Sequence, residues 1–382
     1  MVDRWQGGGG DYYEPHRPPV NPRPRPRVLV DQYGRPMQQA GPPQQGRPVR
    51  PDGRGPVPPT PRKRGWKLAR RIILILVVLF VVGSVVTWFY LDSSLNRVNA
   101  LGDYTGRPAQ GAGTNWLIVG SDSRQGLTDA QAAQLHTGGA DAVSGSRTDT
   151  IMLVHLPDNS TKPTMVSLLR DSLVSIPGHG RTKINAAFAY GGPSLLVKTV
   201  EQATGLRIDH YGEIGLGGFA SVVDDVGGVS MCLPQADHDT YAGVNLPAGC
   251  QTLNGANALG YVRSRHAFAT SDFARTDHQR QFLGALASRI ASPAVLLNPF
   301  DVFPMLGDLP DALTVDQGDH LQNLIGMAWS LRGISSGGVV TTAVPISGSS
   351  GGSLLWSKSK ASALFDDLNT DAPIPADLIT TH

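Results

Sequence analysis

The sequence predicts an α/β fold: a layered sandwich with a central mixed β-sheet flanked by helices, preceded by one transmembrane helix and a disordered N-terminal tail. Three observations carry this expectation. From residue 113 onward, short apolar β-type runs alternate with amphipathic helical stretches, as in a sheet covered on both faces. Residues 72–90 form a single uncharged apolar run. Residues 1–65 hold about half of the 29 prolines and are otherwise rich in Gly, Gln and Arg.

The tail, residues 1–65, cannot bury enough apolar surface to offset chain entropy and is expected to stay unfolded. The first 71 residues carry 15 basic and 5 acidic side chains. A nucleic-acid-binding arm is one reading of that charge. The reading adopted here is a solvated cytoplasmic tail that touches anionic membrane lipid through its membrane-proximal end, with no nucleic acid as partner.

Residues 66–91 read as the transmembrane helix with its basic flank. At about 1.5 Å per residue the run 72–90 spans the roughly 30 Å hydrocarbon core. Trp66 and Trp88-Phe89-Tyr90 stand at its two ends, where an aromatic belt belongs. Arg62-Lys63-Arg64, Lys67, Arg70 and Arg71 lie on its N-terminal side. The positive-inside rule then gives a single-pass plasma-membrane protein with a cytoplasmic N-terminus and everything after about residue 92 outside. A cleaved signal peptide is the alternative, but the run is too long and no small-x-small site follows closely.

Residues 92–112 read as a stalk, and 113–382 as one domain of ordinary size. Its strands are expected at 116–119, 150–156, 164–169, 208–214, 229–233 and 339–344. Helices are expected at 184–189, 194–203, 219–226, 253–261, 276–290, 320–331 and 357–368. Cys232 and Cys250 are the two cysteines. An even count in an oxidising compartment reads as one disulfide, with two unpaired buried thiols as the alternative.

After residue 71 the chain holds 18 Lys+Arg against 26 Asp+Glu, yet its arginines cluster beside Asp or Ser. The clusters are Ser121-Asp122-Ser123-Arg124, Arg147-Thr148-Asp149, Arg170-Asp171, Arg263-Ser264-Arg265 and Asp272-Phe273-Ala274-Arg275. Planar guanidinium forks match phosphate oxygens bidentately, so a pyrophosphate is the natural ligand. Carboxylates among those arginines suggest a bridging Mg²⁺. Several of these motifs sit at strand ends and in the following turns, where α/β folds place ligand sites. His210 beside Asp209 reads as a satisfied structural histidine at a strand start. Ser121 and Ser123 have no His at a recognisable spacing, so a serine hydrolase is a poor reading.

Taken in order, Gly120-Ser121-Asp122-Ser123-Arg124, Arg147-Thr148-Asp149-Thr150, Ser167-Leu168-Leu169-Arg170-Asp171, Lys183-Ile184-Asn185, Asp209-His210-Tyr211, Gly227-Gly228-Val229, Ala258 through Arg265 and Asp272 through Arg275 resemble the LytR-CpsA-Psr family of bacterial cell-wall assembly proteins. The resemblance covers about residues 113 to 347. It implies a phosphotransferase that moves a glycopolymer, as a sugar-1-phosphoryl unit, from a polyprenyl-pyrophosphate carrier to peptidoglycan. It implies Asp122 and Asp149 as ligands of Mg²⁺ (or Mn²⁺). Arg147, Arg170, Arg263, Arg265 and Arg275 would bind the pyrophosphate, with Gln279 adding a hydrogen bond. Asp122, Asp149, Arg147 and Arg275 would be the catalytic set.

Three positions depart from the family pattern: His278 where Arg is usual, Leu168-Leu169 before Arg170-Asp171, and a long Gly/Ala-rich loop at 125–146. A polyprenyl chain outside the bilayer also needs a sheath. An apolar tunnel opening beside Arg263 and Arg265 is therefore expected, lined from 219–226, 282–290 and 321–329. Two other functions fit the same residues: a lipid-pyrophosphate hydrolase, and a non-catalytic membrane-anchored regulatory or binding protein. The Gly-, Ala-, Pro- and Arg-rich composition hints at an actinobacterial-type wall with arabinogalactan as the glycopolymer.

Overall fold

The computed structural model describes residues 63–123, 129–135, 148–264, 271–290, 292–296, 298, 307–308 and 312–380, with Tyr33 alone in the tail. The tail expected to be disordered otherwise lies outside the described residues up to the start of α1 (Lys63–Ser94). Side chains from Trp66 to Tyr90 are exposed, and Trp66–Ser94 is long and apolar enough to cross a membrane.

Beyond Tyr90 the helix meets the domain, where Leu91 and Leu95 are buried. β1 (Asn96–Val98) then pairs in parallel with β12 (Leu313–Asp316). Asp316 Oδ1 accepts the N–H groups of Ala100 at 2.8 Å and Leu101 at 2.9 Å. Arg107 Nε lies 3.0 Å from Oε1 of the fully buried Glu201. Residues 92–112 are therefore not the stalk expected from the sequence. They have no apolar alternation of their own, and become a strand and a strapped loop only because the sheet edge supplies their partners.

The central sheet also takes β2 (Thr114–Ser121), β3 (Thr148–Leu156), β4 (Thr164–Ser167), β7 (His210–Ile214) and β13 (Val340–Ala343). Its order among the described residues is β1–β12–β7–β2–β3–β4–β13, with parallel and antiparallel neighbours mixed. The period of two sorts the side chains onto two faces. Leu117, Val119, Ile151, Leu153 and Val166 join one core with α3 (Asn185–Thr204) and α9 (Lys358–Asn369). Trp116, Met152, Val154 and Met165 point the other way, into a second core with α8 (Leu321–Leu331) and Leu283 of α6 (Ser271–Ile290). Both faces are covered, as the alternating pattern predicts.

The two helical stretches expected at 184–189 and 194–203 are one kinked helix. In α3, Gly191 and Gly192 leave helical geometry and Pro193 starts the second segment. A third core packs α4 (Leu216–Asp225), α5 (Gly255–Arg263) and α6 around β8 (Val229–Leu233), β10 (Val244–Leu246) and β11 (Gly249–Leu253). β8 was expected as one of the domain's strands, and it pairs antiparallel with β11 outside the main sheet. Cys232 and Cys250 face each other across that pair and are joined by a disulfide. Antiparallel pairs β5 (Leu173–Ile176) with β6 (Gly180–Lys183), β9 (Asp237–Asp239) with β10, and β14 (Ile346–Ser350) with β15 (Ser353–Trp356) complete the strands among the described residues. α2 (Asp129–Gln134) and α7 (Pro293–Leu296) are short helices in the long connections.

Candidate active site

The site forms where β2 ends and β3 begins. Val119 pairs with Ile151, Gly120 with Thr150, and Ser121 with Thr148, so Asp149 is the extra residue of a β-bulge. A bulge turns the side chain of its unpaired residue away from the regular alternation. Asp122 follows directly on the partner strand, and both carboxylates line one cavity of about 270 Å³. After Asp122 the chain bends back, and Ser123 O accepts the Leu216 N–H at 3.2 Å. A Cβ on Gly215 would sit 3.1 Å from that oxygen, so a glycine suits the close approach of the two loops.

The cavity has two chemical halves. Ile118, Ile214, Leu216, Phe219, Leu259, Val262 and Leu283 give it an apolar wall. Asp122, Asp149, Asp239, Arg263 and Gln279 give it a charged and polar one. Arg263 sits in the last turn of α5, whose first turn is capped by Asn254 accepting the Asn257 N–H at 2.9 Å. Its Nη1 donates to Leu135 O at 3.4 Å. The next residue, Ser264, donates to Asp237 Oδ1 at 2.7 Å, and both are fully buried. Gln279 is nearly buried and donates to Val262 O at 3.2 Å, which ties α6 to the end of α5.

Beside the cavity, Arg170 Nη1 donates to Asp149 Oδ1 at 2.6 Å. Its Nε lies 3.5 Å from Asp171 Oδ2, and Lys183 Nζ lies 2.8 Å from Asp171 Oδ1. The result is an alternating row, Asp149–Arg170–Asp171–Lys183, along the edge of the site. Asp171 thus braces Arg170, and Lys183 is part of the row.

Of the residues singled out from the sequence, Asp122, Asp149, Arg263 and Gln279 line one cavity, and Arg170 reaches it through Asp149. Arg147 and Arg265 lie outside the described residues, and so does Arg124. Arg275 belongs to α6, one turn before Gln279, with its side chain outside the described residues, as is that of His278. The apolar lining expected from 219–226 and 282–290 is present through Phe219 and Leu283. The stretch 321–329 contributes nothing to the lining, because the inner face of α8 covers the sheet through Leu324 and Met327.

His210 is structural: its ring stacks on Trp116 at 4.4 Å and its Nδ1 pairs with Asp319. Asp209 accepts the Asn115 N–H at 2.8 Å instead of forming a dyad.

The residues at the charged end fit a Mg²⁺ or Mn²⁺ ion that is shared with a ligand. Asp122 and Asp149 supply hard oxygens, and such ions bind through one or two carboxylates plus substrate phosphates. No group of three or more His, Cys, Asp or Glu stands ready to hold a metal among the described residues, so phosphate oxygens would have to complete the shell. Ser121 Oγ and Ser167 Oγ, both lining cavities next to Asp149, are buried without a hydrogen-bond partner among the described residues, which also suits a polar ligand.

Asp239, Tyr241 and, on α4, Leu216 are lining residues not legible from the sequence. Asp239 accepts the Tyr241 and Ala242 N–H groups at 2.9 and 3.1 Å, a local turn with no sequence signature beyond its Asp-His-Asp run.

The LytR_cpsA_psr family model matches residues 94–369, and the chain belongs to that family. It is 49% identical over 298 residues to the probable cell wall biosynthesis protein LcpB of Corynebacterium glutamicum, covering 77% of this chain and 69% of that one. It is 30% identical over 278 residues to the polyisoprenyl-teichoic acid–peptidoglycan teichoic acid transferase TagU of Oceanobacillus iheyensis, covering 69% of this chain and 81% of TagU. A solved structure of a LytR-Csp2A-Psr enzyme from Actinomyces oris shares the fold. Its TM-score is 0.56 at 22% identity, over 72% of this chain and 96% of that one.

Proposed function

We propose that this chain is a membrane-anchored phosphotransferase that moves a sugar-1-phosphoryl glycopolymer from a polyprenyl-pyrophosphate carrier to peptidoglycan. Family membership, with relatives named for cell wall biosynthesis and for teichoic acid transfer to peptidoglycan, makes the chain a cell-wall glycopolymer transferase. The carrier is the finer part of the reading. One observation carries it: a single cavity joins an apolar wall to a charged end bearing Asp122, Asp149, Arg263 and Gln279. That division suits an amphiphile whose hydrocarbon needs shelter and whose head is a pyrophosphate.

In the reaction an acceptor hydroxyl oxygen attacks the phosphorus that bears the sugar. The bond from that phosphorus to the bridging oxygen breaks, and polyprenyl phosphate leaves with the electron pair. The hydroxyl proton passes to a carboxylate, Asp122 or Asp149. Arg170 and Arg263, with Arg147, Arg265 and Arg275 as further members of the set, neutralise charge on the phosphate oxygens, the main demand of phosphoryl transfer. A Mg²⁺ (or Mn²⁺) ion held by Asp122 and Asp149 would add positive charge there. The basic flank of α1 supports a cytoplasmic N-terminus with the domain outside the plasma membrane. Arabinogalactan is the glycopolymer that the composition favours.

The test is to supply a short lipid-pyrophosphoryl saccharide with peptidoglycan fragments. A joined product carrying the sugar-linked phosphate is expected, with slower release of phosphorylated sugar in water alone, since a bound acceptor is already positioned. If peptidoglycan neither speeds turnover nor becomes labelled, the transferase reading falls and a pyrophosphate hydrolase or a binder replaces it.

A further inference from the structure

The inner face of α8 is accounted for by the sheet, but its outer face is not. From Leu321 to Leu331 the helix carries no charged residue. Ile325 and Trp329, one turn apart, are 49% and 62% exposed, and Gln322, Gly326 and Ala328 are exposed around them. The Arg332 guanidinium lies over the Trp329 ring, 4.2 Å from its centre. A charge-free helix face with a large exposed indole is costly to leave in water.

The start of α8 lies beside the end of α1. Asp92, two residues past the aromatic end of the apolar run, holds the start of α8. Its Oδ1 accepts the Leu321 N–H at 2.8 Å, and its Oδ2 lies 3.0 Å from His320 Nδ1. Arg97 Nη2 donates to the same carboxylate at 3.1 Å. If Trp88-Phe89-Tyr90 sit at headgroup level, α8 begins at the membrane surface. At about 1.5 Å per residue, Ile325 and Trp329 then lie within roughly 15 Å of that point along the helix.

We propose that the outer face of α8 is a lipid-docking surface, seated at the headgroup–acyl boundary of the bilayer that holds α1. Ile325 and the Trp329 ring enter the boundary, while Arg332 and Arg97 remain at the level of the lipid phosphates, as in other interfacial helices. The domain then rests on the membrane at two places, α1 and α8. This rests on α1 being a membrane span and is independent of the reaction assigned above.

The full chain, in vesicles of phosphatidylcholine and phosphatidylglycerol, tests the idea. The native cysteines are joined to each other, so one introduced thiol can be spin-labelled in each of Ile325→Cys, Phe80→Cys and Ser359→Cys. Position 80 lies in the apolar run, and 359 is exposed on α9. The readout is collision with oxygen, which concentrates in lipid, against collision with a water-soluble nickel chelate. We expect the oxygen-to-nickel ratio at 325 to shift toward that at 80, while 359 keeps the aqueous value. A ratio at 325 equal to that at 359 overturns the proposal. So does a 325 label shielded from both reagents, which signals a protein partner or a second copy. An aqueous label at 80 removes the membrane span and the proposal with it, leaving the transferase assay unaffected.

Discussion

Arg170 ties together several charged side chains of the site. It touches Asp149 and Asp171, and through Asp171 it is coupled to Lys183. Replacing it with alanine removes one preorganised cation from the developing phosphate charge, so turnover should fall on the order of 10²–10³-fold. The fold should lose only about 1 kcal/mol, because Asp149 is partly exposed and such pairs contribute little. Turnover assays alongside denaturant melts check both halves, and a loss of stability like that of a core mutant would make Arg170 structural. Asp225 at the end of α4 is the opposite case. Burial, then the neighbouring Asp308 and Asp224 charges, push its carboxyl up to about 6, and its Oδ2 is buried without a hydrogen-bond partner among the described residues. With the folded pKa above the unfolded one, this group's contribution to stability falls as pH rises from about 4 to 6. Asp225→Asn should therefore raise the melting temperature at pH 7.5 and raise it less at pH 5. Equal shifts at both pH values would exclude a charge effect. At this scale the sequence was informative where charge and order coincide, as at Asp122, Asp149, Arg263 and Gln279. It was silent on Asp239, because a carboxylate whose contacts are backbone N–H groups of its own turn leaves no pattern.

Among the elements, those long enough to show a period were legible. β2, β3, β7, α4, α6 and α9 fall close to where apolar spacing places them. The missed strands are short, three to five residues each, and the hardest to see are polar. β6 reads Gly-Arg-Thr-Lys and β9 reads Asp-His-Asp, and each exists because a hairpin partner supplies its hydrogen bonds. β8 shows a different limit. Its alternation marks a half-buried strand, but alternation does not say which sheet the strand joins. There the Cys232–Cys250 bond fastens β8 to β11, and β11 leads straight into the helix that carries Arg263. Replacing both cysteines with serine should cost about 3 kcal/mol for a loop of this length. It should also loosen the α5 side of the cavity. Urea unfolding of the double variant with and without reductant is the check. If the reduced wild type unfolds at the same midpoint as the oxidised form, the bond contributes nothing.

At the scale of the molecule, the membrane helix and the sheet are one continuous construction. Leu91 and Leu95 are in the core, β1 is a sheet edge, and Asp316 and Glu201 hold the chain between them and β2. A chain beginning at residue 113 should thus lose the edge strand and leave Glu201 buried without Arg107, whereas one beginning near residue 90 should keep a cooperative melt. Circular dichroism of the two fragments decides the matter, and equal stability would mean that residues 92–112 are dispensable. The sequence concealed this because nothing in the short polar Asn-Arg-Val run marks it as a strand.

The direct passage of α1 into β1 has a consequence for the geometry of wall assembly. A pocket on a flexible leash would wander through the thickness of the cell wall. With the domain outside the plasma membrane, as proposed above, a pocket on a post without slack works at one altitude, in the layer beside the bilayer. Acceptors further out never come within reach, whatever their chemistry. Where new polymer is attached is then decided by how high the protein stands, before any sugar is recognised.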